Sequence, residues 1–502
     1  MPQGILSYKY EEEKGASDMT AYAGLPVYLD LAHVLGLADI ISNNINVKTQ
    51  GWTDEQIIMS LILLNLTGGD CVEDMNILEK DEGFCRVLQR VELKTLSRQQ
   101  RRTQVRRWKK EKHRTVPSPS VIFRYLSVFH NTEQEKFRVE GKAFIPLPNE
   151  QLLSLVNINK DFAASVQKHS PCSEATIDQD ATLAATQKKN ALFSYKGYSA
   201  YQPFNTWWAE QQMILHTEFR DGNVPAGYEQ LRVFKESLDM LPPGVTKVYL
   251  RSDTAGYQHD LLKYCENRTN ERFGKIEFAI GCDVTKEFKK AVAEVEEWKP
   301  LTKEIDGKII ATGKEWAEVC FVPNAIGHSK NSPAYRYLAT RELLRQGELP
   351  GIEQEALPFP TMSFEQKRYK IYGIVTNRTI DGNELIHWYH KRCGKSEEAH
   401  SVMKEDLAGG QFPSGCFGAN AAWWWIMVLA FNLNTAMKRL VLKGSWVKRK
   451  MKAIRFSIIT LPGRIIERSR ELFIRLTAGH PSLELLINAR QRIIVSGDPK
   501  LY

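Results

Sequence analysis

Two hydrophobic periodicities divide the chain. Up to about Ile122 the apolar positions recur at helical spacing, with Thr53 and Gln56 placed as a capping box before IIMSLILLNL and with Gly68 and Gly69 following as a stop. Beyond the run SRQQRRTQVRRWKKEKHR, Pro119 breaks the chain and Ser120 is placed to cap a new helix, a helix-turn-helix of DNA-binding proportions. From Cys172 the period changes to two. ATIDQDATL reads as a strand whose Thr176, Asp178, Asp180 and Thr182 share one face. YKGYSAYQPF and MILHTEFRDGN read as two more strands, and KVYLRSD and KIEFAIGCDV as later ones. Helices fall at AGYEQLRVFKESLDML and DLLKYCENR, so three leading strands precede a strand-helix-strand unit. That order predicts an α/β fold, a mixed sheet flanked by helices.

Between residues 298 and 378 the pattern shortens to strand-like pieces broken by Pro and Gly, a β-rich insertion. Helical spacing resumes at about Gly382 and leads into AAWWWIMVLAF, Ala421 to Phe431. Three consecutive tryptophans point around a helix, which suits a buried helix better than a stacking stripe. The run is also far shorter than the roughly 20 residues a bilayer requires. The sequence therefore divides into a helical, basic region at 1–150, a sheet region at 172–297, the insertion at 298–378, a second sheet-associated part at 379–442 and a basic helical tail at 443–502. A chain of 502 residues is expected to hold about three domains at roughly 150 residues each.

Charge sharpens the picture. The formal net charge of +9 favours a polyanionic partner. Much of it is local: Arg98, Arg101, Arg102, Arg106, Arg107, Lys109 and Lys110 lie in one run whose only acid is Glu111. The eight cysteines include no C-x-x-C pair, and the first residues lack a secretion pattern. Both features suit reduced thiols inside a cell, with no membrane role.

The candidate chemistry is acidic. Asp180 lies on a strand, Asp253 ends a neighbouring one, and Glu397 begins a later helix, so three carboxylates from rigid elements can converge at one sheet edge. Hard divalent cations prefer such oxygens, and a pair of them suits displacement at a phosphodiester. Periodicity leaves Asp178 as an alternative to Asp180, and adjacency leaves Glu398 as an alternative to Glu397. Lys404 lies two helical turns beyond Glu397 on nearly the same face. Arg392 suits a phosphate, and Tyr389 suits a phosphate or a displaced base. His387, His390 and Cys393 have no matching second cluster, which argues against zinc.

Together IDQDATL, YKGYSAYQPFN, LHTEFRDGNVPAGYEQL, VYLRSDTAGYQ and YHKRCGKSEEAHSVMK resemble the bacterial insertion-sequence transposases of the Asp-Asp-Glu type, most closely the insertion-sequence family numbered thirteen-eighty. The resemblance runs from about Leu25 to beyond Arg470. It implies an RNase H-like catalytic domain with a β-strand insertion before the glutamate and with Asp180, Asp253 and Glu397 as catalytic, metal-holding residues. It also implies two Mg²⁺ ions, with Mn²⁺ able to substitute, and DNA contacts from Tyr389, Arg392 and Lys404. The implied activity is cleavage at terminal inverted repeats and joining to target DNA, by a homodimer on double-stranded DNA in the bacterial cytoplasm, associated with the nucleoid. One departure stands out: four residues, not the commoner three, separate Arg392 from Glu397. Glu397 is kept because its six-residue gap to Lys404 fits the signature and serine is a poor magnesium ligand. An RNase H-like nuclease without strand transfer, and a non-catalytic DNA-binding descendant, are the other readings.

Overall fold

The computed structural model describes residues 18–110, 114–323, 335–344, 357–364, 367–468 and 471–497. After a short strand β1 (Met19–Thr20) the N-terminal third is helical. The expected capping box is formed: the Thr53 hydroxyl accepts from the Gln56 amide at 3.2 Å and the Gln56 side chain accepts from the Thr53 amide at 3.0 Å. Gly68 ends that helix at φ 95°, a left-handed cap that glycine adopts without Cβ strain. The basic run forms the helix Arg98–Lys110. The next helix differs from expectation in its start. Pro119 opens the helix Pro119–Ser127 and Ser118 is its N-cap, because proline lacks only an amide that the first turn leaves unpaired anyway. Its Ile122, Tyr125 and Leu126 are buried, and the helix packs on the long Phe417–Ala436 helix.

The central sheet begins with β2 (Glu174–Ala181). The expected YKGYSAYQPF strand is divided. A turn at Gly197 (φ 80°) precedes β4 (Ala200–Tyr201), which pairs with β3 (Ala184–Ala185), and only after Pro203 does β5 (Phe204–Trp208) join β2. Strands β6 (Met213–Glu218), β7 (Lys247–Ser252) and β8 (Glu277–Cys282) follow. Their spatial order is β6-β5-β2-β7-β8, with β2, β7 and β8 parallel and β5 and β6 antiparallel. This third-second-first-fourth-fifth order, with helices on its faces, is the expected mixed α/β layout.

The strands of the 298–378 interval are β9 (Lys299–Ile305), β10 (Lys308–Val319), β11 (Arg336–Leu343), β12 (Thr361–Phe364) and β13 (Lys367–Thr376). They extend the same sheet from β8 through β13, β11, β10 and β9, with β12 on β13. The C-terminal segment departs from its helical expectation. Pro462 and Gly463 end the helical pattern, and RIIER and ELFIR pair as the hairpin β14 (Gly463–Arg468) and β15 (Glu471–Arg475), with β1 completing a small sheet. Among the described residues only Leu483–Ser496 is helical after it.

Every residue of the Phe417–Ala436 helix is buried. Each of its fully enclosed tryptophans, Trp423 and Trp424, removes on the order of 200 Å² from water, a gross gain of about 5 kcal/mol. Its buried amides are satisfied. Asn432 accepts from the Ile214 amide at 2.9 Å and donates to Asn159 at 2.8 Å, and Asn434 accepts from the Tyr28 hydroxyl at 2.8 Å. The helix thereby ties the N-terminal helices to β6. No single helix among the described residues is long and apolar enough to cross a membrane.

Candidate active site

Strand register brings the two aspartates together. Gln179 on β2 lies level with Ser252 on the parallel β7, so the next residues, Asp180 and Asp253, emerge side by side at the carboxyl ends of strands about 4.8 Å apart. Asp253 accepts from the Ala255 amide at 3.0 Å, which fixes one oxygen in the turn and leaves the other without a protein partner among the described residues. Asp178, two residues back on the same face, is consumed. Arg251, its neighbour across β7, grips both its oxygens at 2.6 and 2.7 Å in a pair whose side chains are 2 % and 4 % exposed. Of the two aspartates that share this face, Asp178 is closed into an ion pair and Asp180 is not.

The helix Gly382–His390 is bolted to the strand that presents Asp253. Arg251 donates to the Trp388 carbonyl at 2.7 Å, and the Tyr389 hydroxyl donates to the Ser252 carbonyl at 3.2 Å while lying 2.6 Å from the Tyr372 hydroxyl. Tyr389 is 1 % exposed. The expected DNA contact from Tyr389 is corrected accordingly: with its ring enclosed and its hydroxyl engaged inside, it braces the end of β7 and the Arg392 guanidinium, 5.7 Å above its ring.

After His390 the chain turns through Lys391 to Gly394, where φ is 77°, and restarts as the helix Lys395–Ser401. Ser396 is buried and Glu397 is the residue within electrostatic reach of Asp180, whereas the neighbouring Glu398 lines a cleft on the other side of the helix. In this conformation Glu397 reaches back to accept from the Gly394 amide at 2.7 Å. Among the described residues no group of His, Cys, Asp or Glu is closed tightly enough to hold a metal.

Two residues missed by sequence reasoning hold that helix in place. Asn205 on β5 pairs with Asp180 across the sheet and donates from its amide to His400 Nε2 at 3.1 Å. The chain continues inward, with Thr217 donating to Asn205 at 2.6 Å and the Trp424 indole donating to Thr217 at 3.0 Å. The Asn205 contact places the neutral imidazole's proton on Nδ1, and burial, with the nearby Lys404 ammonium adding, pushes the His400 pKa down to about 3. Asn205 stands in the quoted line YKGYSAYQPFN, but nothing in its spacing pointed to His400. Lys404 lies in a π-helical turn, Val402–Asp406, so it departs from simple helical phase with Glu397. Half-buried, it donates to the Leu183 carbonyl at 3.0 Å just beyond Asp180, and burial lowers its pKa.

Burial raises the Asp180 pKa to about 7, and the negative charges of Asp253 and Glu397 add to the effect against the opposing Arg392. Arg392 is 9 % exposed, closes no ion pair with either aspartate, and keeps a buried Nε without a partner. Burial works against its charge, yet Tyr389, Asp180 and Asp253 raise its pKa. Three repelling carboxylates of hard oxygen character, with one guanidinium among them, make a donor set that fits magnesium.

The model of the family described as "Transposase DDE domain group 1" matches residues 11–317 and 362–497. The chain belongs to this transposase family. No protein of curated function matches it. Among solved structures, a piggyBac transposase synaptic complex with hairpin DNA, determined by cryo-EM, is similar at 11 % identity over 87 % of this chain and 80 % of that one, with a TM-score of 0.38. A likeness that loose assigns no residue.

Beyond the carboxylates, Arg98, Arg101, Arg102 and Arg106 are exposed along the basic helix of this transposase-family chain. The side chains of Arg107, Lys109 and Lys110 lie outside the described residues. His387 is engaged by the Thr302 carbonyl at 2.5 Å.

Proposed function

We propose that this chain is the transposase of a bacterial insertion sequence of the family numbered thirteen-eighty, cutting at terminal inverted repeats and joining the freed ends to target DNA. The observation that carries the reading is the side-by-side emergence of Asp180 and Asp253, with Glu397 within electrostatic reach. Asp180, Asp253 and Glu397 would hold two Mg²⁺ ions, or Mn²⁺ in their place, which when bound would supply charge neutralisation on the attacking and leaving oxygens of the phosphodiester. The protein's own part is positional. The strand ends fix the two aspartates, the Asn205–His400 contact holds the Glu397 helix over them, and Arg392, its Nε buried, sets a guanidinium charge beside the carboxylates. Lys404 grips backbone beside β2. Water is the first nucleophile and the freed 3′-hydroxyl the second.

The Arg98–Lys110 helix supplies phosphate contacts to the double-stranded terminal repeats. The protein acts as a homodimer that holds two ends together, in the nucleoid of a bacterial cytoplasm. The test is a reaction with labelled, pre-cut terminal-repeat DNA and a plasmid target in Mg²⁺. Joined product that disappears in Asp180→Asn, Asp253→Asn and Glu397→Gln variants supports the reading. Hydrolysis without joining would reduce the protein to a nuclease, and DNA binding without either would make it a non-catalytic descendant.

A further inference from the structure

On the far side of the Glu397 helix lies a second feature. A cleft of about 620 Å³ has as its floor the same sheet face that carries Asp180, with Thr176 and Asp178 from β2, Trp207 from β5 and Arg251 from β7. Its walls come from the Lys391–Val402 stretch, the end of the Phe417–Ala436 helix and the segment 447–451. Lys391, Lys395, Lys438, Lys448 and Lys450 all line it, and none forms an ion pair among the described residues.

The acids in the cleft do not balance these ammoniums. Asp178 is neutralised by Arg251, which leaves two carboxylates, Glu398 and Glu210, the latter accepting from the Thr176 amide at 2.7 Å, against five ammoniums. The half-buried Lys438 shows the consequence: burial lowers its pKa and Lys395 lowers it further, against Glu398. Lys391, Lys395, Lys448 and Lys450 are exposed and Lys438 is half-buried, so the concavity carries a positive potential that draws an anion to it. Trp207, edge-on to Phe431 at 5.8 Å, adds an apolar wall.

The size sets the scale of the anion. The cleft falls within the roughly 300–1,000 Å³ of small-molecule sites, the scale of one or a few nucleotides. We propose that it holds a single-stranded stretch of DNA leading away from the phosphodiester at Asp180 and Asp253. Phosphates meet the lysines, and a base lies against Trp207. This deepens the transposase reading and rests on it for the identity of the polymer. It also gives the basic segment Lys448–Lys450 a task distinct from that of the Arg98–Lys110 helix.

The test uses the full chain in EDTA, where no cutting occurs, with fluorescence anisotropy of a short labelled oligothymidylate and of a duplex. The variant is Lys395→Gln/Lys448→Gln/Lys450→Gln, three exposed positions, checked for an unchanged melting temperature. The expected result is a loss of about tenfold or more on the single strand, a salt slope shallower by about 2, and a smaller loss on duplex. Failure of the wild type to bind the single strand, or an equal loss on both DNAs, overturns the proposal. A chain that binds the strand through these lysines yet never cuts in Mg²⁺ supports the cleft while removing the enzymatic reading.

Discussion

Replacing Asp180 by asparagine should stabilise the metal-free protein at alkaline pH. The carboxyl is mostly buried and its pKa is pushed up to about 7 from the ordinary 3.8, with burial the largest cause and Asp253 and Glu397 adding to it. A raised carboxyl pKa means that the native state binds a proton the unfolded state has lost. Its stabilising contribution is complete below about pH 4 and is lost as pH rises through about 7. A shift of about three units at 1.36 kcal/mol each makes the charged form a burden of about 4 kcal/mol at pH 8. Asparagine is never charged and escapes this cost. With an unfolding entropy of about 2.1 cal/mol/K per residue, a chain this long gains roughly 4 °C. Calorimetry in EDTA should therefore show Asp180→Asn melting higher than wild type at pH 8, with the gap closing towards pH 4. Added Mg²⁺ should raise only the wild type. A variant that melts lower at pH 8 would mean Arg392 more than offsets the burial, and the picture of a strained, cation-seeking carboxylate would be wrong.

Other consequences are more local. Arg251→Met leaves Asp178 buried and unpaired and should cost about 3–5 kcal/mol in denaturant unfolding, whereas a loss below about 1 kcal/mol would show that the pair contributes little. Gly281→Ala places a Cβ 2.4 Å from the Tyr372 hydroxyl and 3.1 Å from the Thr254 amide, so strand joining should fall at least about tenfold while global stability changes by about 1–3 kcal/mol; unchanged joining would refute a tight mount for Asp253. Asn205→Ala and His400→Ala should be coupled by about 1 kcal/mol in a double-mutant cycle, and additive losses would remove their link. Because the folded His400 pKa is depressed, its contribution is complete above its unfolded value near 6.5 and is lost as pH falls towards about 3.

What the sequence made legible was what local chemistry decides. The capping box at Thr53 and Gln56, the glycine stop at Gly68, the strands bearing Asp180 and Asp253 and the apolar helix all follow from spacing within a few residues. What depends on distant partners was hidden. Asp178 and Asp180 are equivalent by period, and only the register of β7, which sets Arg251 against Asp178, separates them. His400 finds Asn205 across 195 residues. Tyr389 carries a polar hydroxyl that suits solvent or interior equally, and tertiary packing decided for the interior. The tail's basic residues masked the alternation in RIIER and ELFIR, where Ile465 alone of the first strand's large side chains is fully buried.

The central claim is that Asp180, Asp253 and Glu397 close around divalent cations. Anomalous diffraction from crystals of the full chain soaked in Mn²⁺ tests it most directly. The account predicts density between Asp180 and Asp253, at about 2.0–2.2 Å from their oxygens, with Glu397 swung off the Gly394 amide towards it. Manganese bound elsewhere, with these three carboxylates left bare, would contradict it.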